Sequence, residues 1–263
     1  MNSEQMFTDG AAYELLMGRW SREVGKVFLK WLEVPAQLLW LDIGCGTGVF
    51  TEQIVAESSP AAVSAMDPSP EQLAFARLRA GLEGIDFQVG DAQNLRLSAN
   101  SFDVTVMALV IHFLTDPAGA VAEMHRVVRP GGLSAAYAWD YPGQGSPTAP
   151  LTAAMKSLGL EAPSPPTPAA TSVEALKDFW QSAGFEEIKS REIKIPVVFS
   201  DFEQFWKAMS APVGPTGKVI KSMPPQRLEQ LRARLRERSP IEGDGRVIYE
   251  ARANAVKGQK VIQ

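Results

Sequence analysis

Two apolar periods run through this chain, and the switches between them mark its parts. Across residues 12–32, Tyr13, Leu16, Met17, Trp20, Val24, Val27, Phe28 and Trp31 fall at helical spacing. That predicts an N-terminal helix laid over a larger body, closed by Pro35. Short apolar runs then alternate with helical segments. Residues 38–43, 62–66, 85–89, 102–108 and 133–139 read as strands, with helices over 49–56, from Pro70 onward, and over 116–128. Ser69, Pro70 and Gln72 supply a cap, a first-turn proline and a capping-box partner. Strands alternating with helices predict a parallel sheet with helices on both faces.

The pattern changes after Trp139. Residues 141–168 hold seven prolines and little periodicity, and read as a long loop with one short helix over 151–158. A helix over 173–183 stops at Gly184, and a strand follows over 186–195. Two helices are predicted over 199–209 and 226–238, then a last strand over 245–255. The chain therefore divides into a cap helix (1–34), a core (35–140), a Pro-rich loop (141–170), two further core segments (171–198 and 243–257) and a helical lid insertion (199–240). Long insertions in compact domains are commonly functional.

Composition narrows the picture only slightly. A net charge of −4 gives no global attraction to nucleic acid or an anionic membrane, though it permits a local basic patch. Cys45, the single cysteine, excludes an intrachain disulfide and fits a cytoplasmic setting. The polar start of the chain is unlike a signal peptide, and the longest apolar run is too short to span a bilayer. No cluster has metal-ligand spacing, so no metal is expected.

The chemistry concentrates at the ends of the predicted strands. Residues 41–48 read Leu-Asp-Ile-Gly-Cys-Gly-Thr-Gly, where the first strand meets a helix. Glycines there admit a ligand close to the backbone. A dinucleotide site wants Gly-x-Gly-x-x-Gly, whereas this turn is Gly-x-Gly-x-Gly with Asp42 two positions ahead. A carboxylate repels a pyrophosphate but suits an ammonium group, so an amino-acid-bearing nucleoside is favoured over NAD. Asp67, after the second strand, can accept ribose hydroxyls. Asp91, after the third, can accept from an adenine amine.

These residues, with Met66-Asp67-Pro68-Ser69, Gly90-Asp91-Ala92, Ser101-Phe102-Asp103-Val104 and Arg126 to Gly132, resemble the class I S-adenosylmethionine (AdoMet)-dependent methyltransferases. The resemblance is nearest to the ubiquinone/menaquinone-type and small-molecule group and covers residues 38–139. It implies an α/β, Rossmann-like sheet of seven strands with the last antiparallel. It also implies AdoMet as cofactor and methyl transfer by in-line displacement. Gly44, Cys45 and Gly46 would line the methionine part, with Asp42 near it. Asp67 would hold the ribose, Asp91 and Ala92 would face the adenine, and Met66 and Pro68 would pack near it. Ala108 and Leu109 would meet the donor. On the cap helix Tyr13, Arg19 and Trp20 become candidates, with Arg19 pairing to the donor carboxylate.

His112 is a candidate base or acceptor contact, and Asp140 and Tyr141 face the expected acceptor side. His125 reads as structural, and the arginines of residues 226–238 as a solvated helix face, with an anionic partner or substrate as the alternative. Phe199, Phe202, Phe205 and Trp206 suggest a lid over an apolar pocket. The expected partner is a lipophilic or aromatic small molecule rather than a nucleic acid. A non-catalytic AdoMet-binding accessory protein is the alternative.

Overall fold

The computed structural model describes residues 10–261, and the side chains of its first helix from Met17 onward. The strands are β1 (Leu39–Ile43), β2 (Ala62–Asp67), β3 (Asp86–Val89), β4 (Phe102–Ala108), β5 (Val128–Trp139), β6 (Phe185–Phe199) and β7 (Val247–Lys260). They form one sheet in the order β3-β2-β1-β4-β5-β7-β6. The pairings among β1 to β5 are parallel, and β7 runs antiparallel to both β5 and β6. The chain lays strands to one side of β1, then crosses to β4 on its other side. Such a switch opens a crevice at the C-terminal ends of the central strands.

The helices are α1 (Gly10–Leu32), α2 (Val49–Ser58), α3 (Pro70–Arg77), α4 (Pro117–Val127), α5 (Ala149–Ser157), α6 (Val173–Ser182), α7 (Phe202–Met209), α8 (Gly214–Lys221) and α9 (Pro225–Arg238). Where the sequence places caps, the caps form. Ser69 Oγ accepts from Gln72 N at the start of α3, and Asp116 and Ser172 do the same for α4 and α6. One face of the sheet is covered by α1, α2, α5 and the insertion, whose Trp20, Phe28, Ile54, Phe205 and Leu235 share a single core with Val104 and Tyr137. The other face packs under α4 and α6, where Trp180 donates from Nε1 to Ser134 O at 3.0 Å.

Several boundaries differ from expectation, each for a tertiary reason. β6 runs on past residue 195 to Phe199, through Pro196, which faces Glu250 in the β7 ladder. An edge strand tolerates proline, because its outward side needs no donor. β7 extends to Lys260 because both of its neighbours are present to pair it. The insertion holds three helices rather than two: Gly214, Pro215 and Gly217 hid α8 from any helical reading.

The aromatic residues of the insertion are mostly core. Phe199, Phe202 and Phe205 are buried against Trp20 and one another, and only Trp206 is half-buried. Leu231 and Leu235 on α9 are fully buried in the same core. A segment sharing the main core should open with it rather than alone. In native-state hydrogen exchange the slowest amides of α7 and α9 should therefore match those of β5 and β7. Exchange of these helices at a much lower opening free energy would show a loosely hinged flap instead.

Candidate functional site

The turn after β1 is shaped by three glycines at positive φ: Gly44 (76°), Gly46 (55°) and Gly48 (80°). Gly44 N and Cys45 N donate to Met66 O at 2.7 and 2.9 Å, tying the turn to β2. A Cβ at Gly44 would collide with the Val110 side chain, and one at Gly48 would press on Leu82 and Ala76. Gly46 is different, since a Cβ there meets nothing within 4 Å. Two of the glycines allow close packing, and the third borders open space.

Two carboxylates flank this turn. Asp42 is fully buried in β1; its Oδ2 accepts from Thr51 Oγ1 at 2.7 Å, while its Oδ1 has no partner. Burial pushes its pKa up to about 7, the Thr51 bond opposes this, and the Asp67 charge adds to it. Asp67 ends β2, and its two oxygens accept from Gly46 N and Ser69 N, each at 2.9 Å. Burial also raises its pKa, against those two bonds. The Asp67 carboxylate thus holds the turn in place, and the lone pairs left over remain for a ligand. Cys45 is buried between the two acids, and burial pushes its thiol well above the usual range, so it is no nucleophile.

Asp91 follows β3 and is exposed, accepting from Gln93 N at 2.9 Å. Ala92 beside it is buried, Pro68 is exposed, and Met66 lies buried under Gly90. Ala108 and Leu109 are half-buried at the end of β4. Leu109 carries a φ of 61°, a left-handed conformation costly for leucine, and its N–H donates to Tyr137 O at 2.8 Å. This strain, which brings Val110 against Gly44, left no trace in the sequence.

His112 sits beyond that bend, but its surroundings oppose the role of base. It is 2% exposed, and burial lowers its pKa to about 3. Its ring packs on Phe113 and Tyr141, and its Nδ1 has no partner. A base whose conjugate acid is that strong takes up a proton poorly near neutrality. Asp140, a candidate for the acceptor side, is committed elsewhere: Arg252 Nε donates to its Oδ2 at 2.8 Å and Gly143 N to its Oδ1 at 3.0 Å. Arg252 and Thr51 are the partners that sequence reasoning missed, since nothing in their spacing points to Asp140 or Asp42.

The cap helix contributes differently from expectation. Trp20 is 2% exposed and packs edge-on against Phe199 of β6. The Arg19 guanidinium lies over both rings and donates to Val198 O at 3.4 Å. Both residues are therefore engaged with the edge strand instead of the glycine turn, a placement fixed by where α1 crosses the sheet. Tyr13 lies outside the residues whose side chains are described. What α1 does bring toward the turn is Arg22, which donates to Glu52 on α2 at 3.0 Å. Among the described residues no group of three His, Cys, Asp or Glu is placed to hold a metal. No described helix is long and apolar enough to cross a membrane.

Comparison with known proteins agrees with this geometry. Residues 41–136 match the family model described as a methyltransferase domain. The chain is 29% identical over 177 residues to the rice chloroplast 2-methyl-6-phytyl-1,4-hydroquinone methyltransferase 2, covering 67% of this chain and 47% of that protein. It is 32% identical over 123 residues to the ubiquinone/menaquinone biosynthesis C-methyltransferase of Dinoroseobacter shibae, covering 45% of this chain and 49% of that protein. The chain thus spans about half the length of these curated relatives. A Haloferax volcanii putative methyltransferase, solved in complex with the Trm112 activator, has the same fold, with TM-score 0.64 at 16% identity over 100% of this chain and 99% of that one. With its glycine turn at the switch point and β7 antiparallel in a seven-stranded sheet, the chain has the fold of the class I AdoMet-dependent methyltransferases, and its residues 41–136 match their methyltransferase domain.

Proposed function

We propose that the protein transfers a methyl group from AdoMet to a small, lipophilic or aromatic acceptor, and that the acceptor is of the quinol class. The observation that carries this reading is the glycine turn. Gly46 borders open space after β1, its N–H donates to Asp67, and Asp42 in β1 keeps an unpartnered Oδ1. The residues fit the cofactor: Gly44 and Gly46 leave room for its amino-acid part, Asp42 suits an ammonium group, and Asp67 and Asp91 suit its ribose and adenine. The acceptor class rests on the names of the relatives, which act on a phytyl hydroquinone or in ubiquinone/menaquinone synthesis.

Bound there, AdoMet supplies a methyl group already made electrophilic by its sulfonium. The protein's own task is then alignment and exclusion of water. Leu109 and the β4 end position the backbone, and the insertion and α1 close the apolar face of the sheet. With His112 buried and neutral, the acceptor's own nucleophilicity carries the reaction. No observation favours the non-catalytic alternative.

Calorimetry with S-adenosylhomocysteine, followed by turnover with substituted hydroquinones, tests the two halves separately. Absence of binding overturns the cofactor assignment; binding without turnover on any quinol overturns the acceptor class. Asp67→Ala should weaken cofactor binding by about 1.5–3 kcal/mol, the scale of hydrogen bonds to a charged group. Asp67→Asn should lose less, because it keeps one acceptor. Because Asp67 also holds Gly46 N, a deoxyribose analogue separates the two roles. If wild type and Asp67→Ala lose equally on that analogue, the carboxylate only braces the turn.

A further inference from the structure

The end of the sheet opposite the glycine turn holds a cavity of about 350 Å³. It opens between the end of α1, the starts of β4 and β5, and the paired strands β6 and β7. Its wall contains an arrangement that strand pairing by itself disfavours. Lys189 of β6 stands directly opposite Lys257 of β7 in the antiparallel ladder, so the two share one face of the sheet. Like charges in directly opposite positions destabilise a sheet. A β-bulge makes this register: Glu186 faces Gln259 and Lys189 faces Lys257, three steps on one strand against two on the other. Glu187 within the bulge has a φ of 50°, a conformation costly for a residue with a Cβ. Bulges re-aim side chains. Without the extra residue, Ile188 would face Lys257 in place of Lys189.

The surrounding groups leave this pair unbalanced. Lys257 is buried, and its Nζ donates to Trp31 O at 2.7 Å and Leu32 O at 3.0 Å, at the end of α1. The Glu33 carboxylate stands 3.6 Å away with its side chain 80% exposed, so water screens the pairing. Burial holds the Lys257 pKa below the usual lysine value; Glu33 opposes this and Lys189 adds to it. Lys189 is exposed and makes no ion pair or side-chain hydrogen bond among the described residues. Across the cavity the buried Asp103 is already engaged: Leu39 N donates to its Oδ2 at 2.7 Å, and Arg129 pairs with its Oδ1. Glu187, the third acid of the wall, is exposed on the bulge itself. Leu32, Val34, Pro35, Leu38 and Leu133 supply the apolar part of the wall.

We propose that this cavity binds a small organic carboxylate, with its anionic head between Lys189 and Lys257 and an apolar body against Leu32, Val34 and Leu133. An anion there replaces the repulsion of the pair by charge-assisted hydrogen bonds. The apolar wall favours a ligand with a body over a bare ion, and the volume lies at the lower end for small-molecule sites, roughly 300–1,000 Å³. The site stands at the far end of the sheet from the glycine turn, so it does not depend on the methyl-transfer reading.

The test is amide NMR of the full chain titrated with benzoate, and with benzamide as its uncharged counterpart. Benzoate should give saturable shifts at Gly131, Gly132, Lys189 and Lys257, and these should persist with S-adenosylhomocysteine present in excess. Benzamide should bind about tenfold more weakly. Lys189→Gln should lose about tenfold for benzoate, the scale of one charge-assisted hydrogen bond. Without ligand the same variant should melt at an equal or higher temperature, because it removes a like-charge pair. A lower melt would mark Lys189 as a structural residue and overturn the proposal. Lys194→Gln lies further along β6, outside the cavity wall, where Lys194 pairs with Glu250 at 3.2 Å; it should bind benzoate as the wild type does. The proposal also fails if shifts rise linearly and scatter over the surface, or if benzamide binds as well as benzoate. Unchanged affinity in Lys189→Gln, or tighter binding of inorganic phosphate than of benzoate, would overturn it too.

Discussion

Gly46→Val is expected to abolish binding of S-adenosylhomocysteine while leaving the fold in place. The three glycines of the turn look alike in sequence, but they answer to different neighbours. At Gly44 a side chain strikes Val110, and at Gly48 it strikes Leu82 and Ala76, so substitution there costs packing. At Gly46 a Cβ meets nothing within 4 Å beyond its chain neighbours, so a side chain there starts in open space, where a bound ligand would exclude it. The φ of 55° adds backbone strain of roughly 1–2 kcal/mol for a non-glycine residue. A domain with ordinary stability of about 5–15 kcal/mol survives that. Binding should fall by about a thousandfold or more, close to 4 kcal/mol. Calorimetry gives the affinity, and circular dichroism with a thermal melt gives the fold. Near-normal affinity in a folded variant would place the cofactor away from this turn. Gly44→Val should show the opposite pattern, with the melt failing first.

The contrast among these glycines marks how far the sequence could be read. The turn, its strand and the acids at the ends of β1, β2 and β3 were legible because they are local: each needs only its own neighbours in the chain. Asp67 was legible as an acid at a strand end, yet its bonds to Gly46 N and Ser69 N, which make it a brace, depend on how β2 meets the turn. Arg19 and Trp20 carried the composition of a cofactor cap, and the path of α1 across the sheet delivered them to Phe199. His112 had the residue type and position of a base; burial against Phe113 and Tyr141 removed the proton affinity. The insertion was legible as helical, but α8 was not, because Gly214, Pro215 and Gly217 interrupt every local helix signal. For Asp67, Arg19, Trp20 and His112, what the sequence could not supply was the identity of the long-range partner.

Asp42 yields the second large effect, and it is a pH effect with a definite sign. The carboxyl is fully buried, and its pKa stands at about 7 against an ordinary 3.8. A carboxyl whose folded pKa is raised binds its proton more tightly in the native state. Its contribution to stability is therefore whole below about pH 4 and is lost as pH rises toward 7 and beyond. A shift of this size corresponds to a cost on the order of 4 kcal/mol above pH 7. Asp42→Asn removes the titration but buries an amide with one side unpartnered, which returns about 1–3 kcal/mol. The variant should thus be equal or less stable near pH 4 and more stable, by roughly 1–3 kcal/mol, at pH 8. Denaturant unfolding across that range measures the crossing; parallel curves for the two proteins would mean that Asp42 titrates normally. The same group links stability to function. A ligand bringing an ammonium group toward the free Oδ1 favours the carboxylate and so offsets the cost of its burial. Binding of S-adenosylhomocysteine near pH 6 should then release about one proton, seen as a heat that changes with the ionisation enthalpy of the buffer. Asp42→Asn should bind more weakly and release none. Proton release that persists in the variant would assign the titration to Asp67, the other raised carboxyl beside the turn.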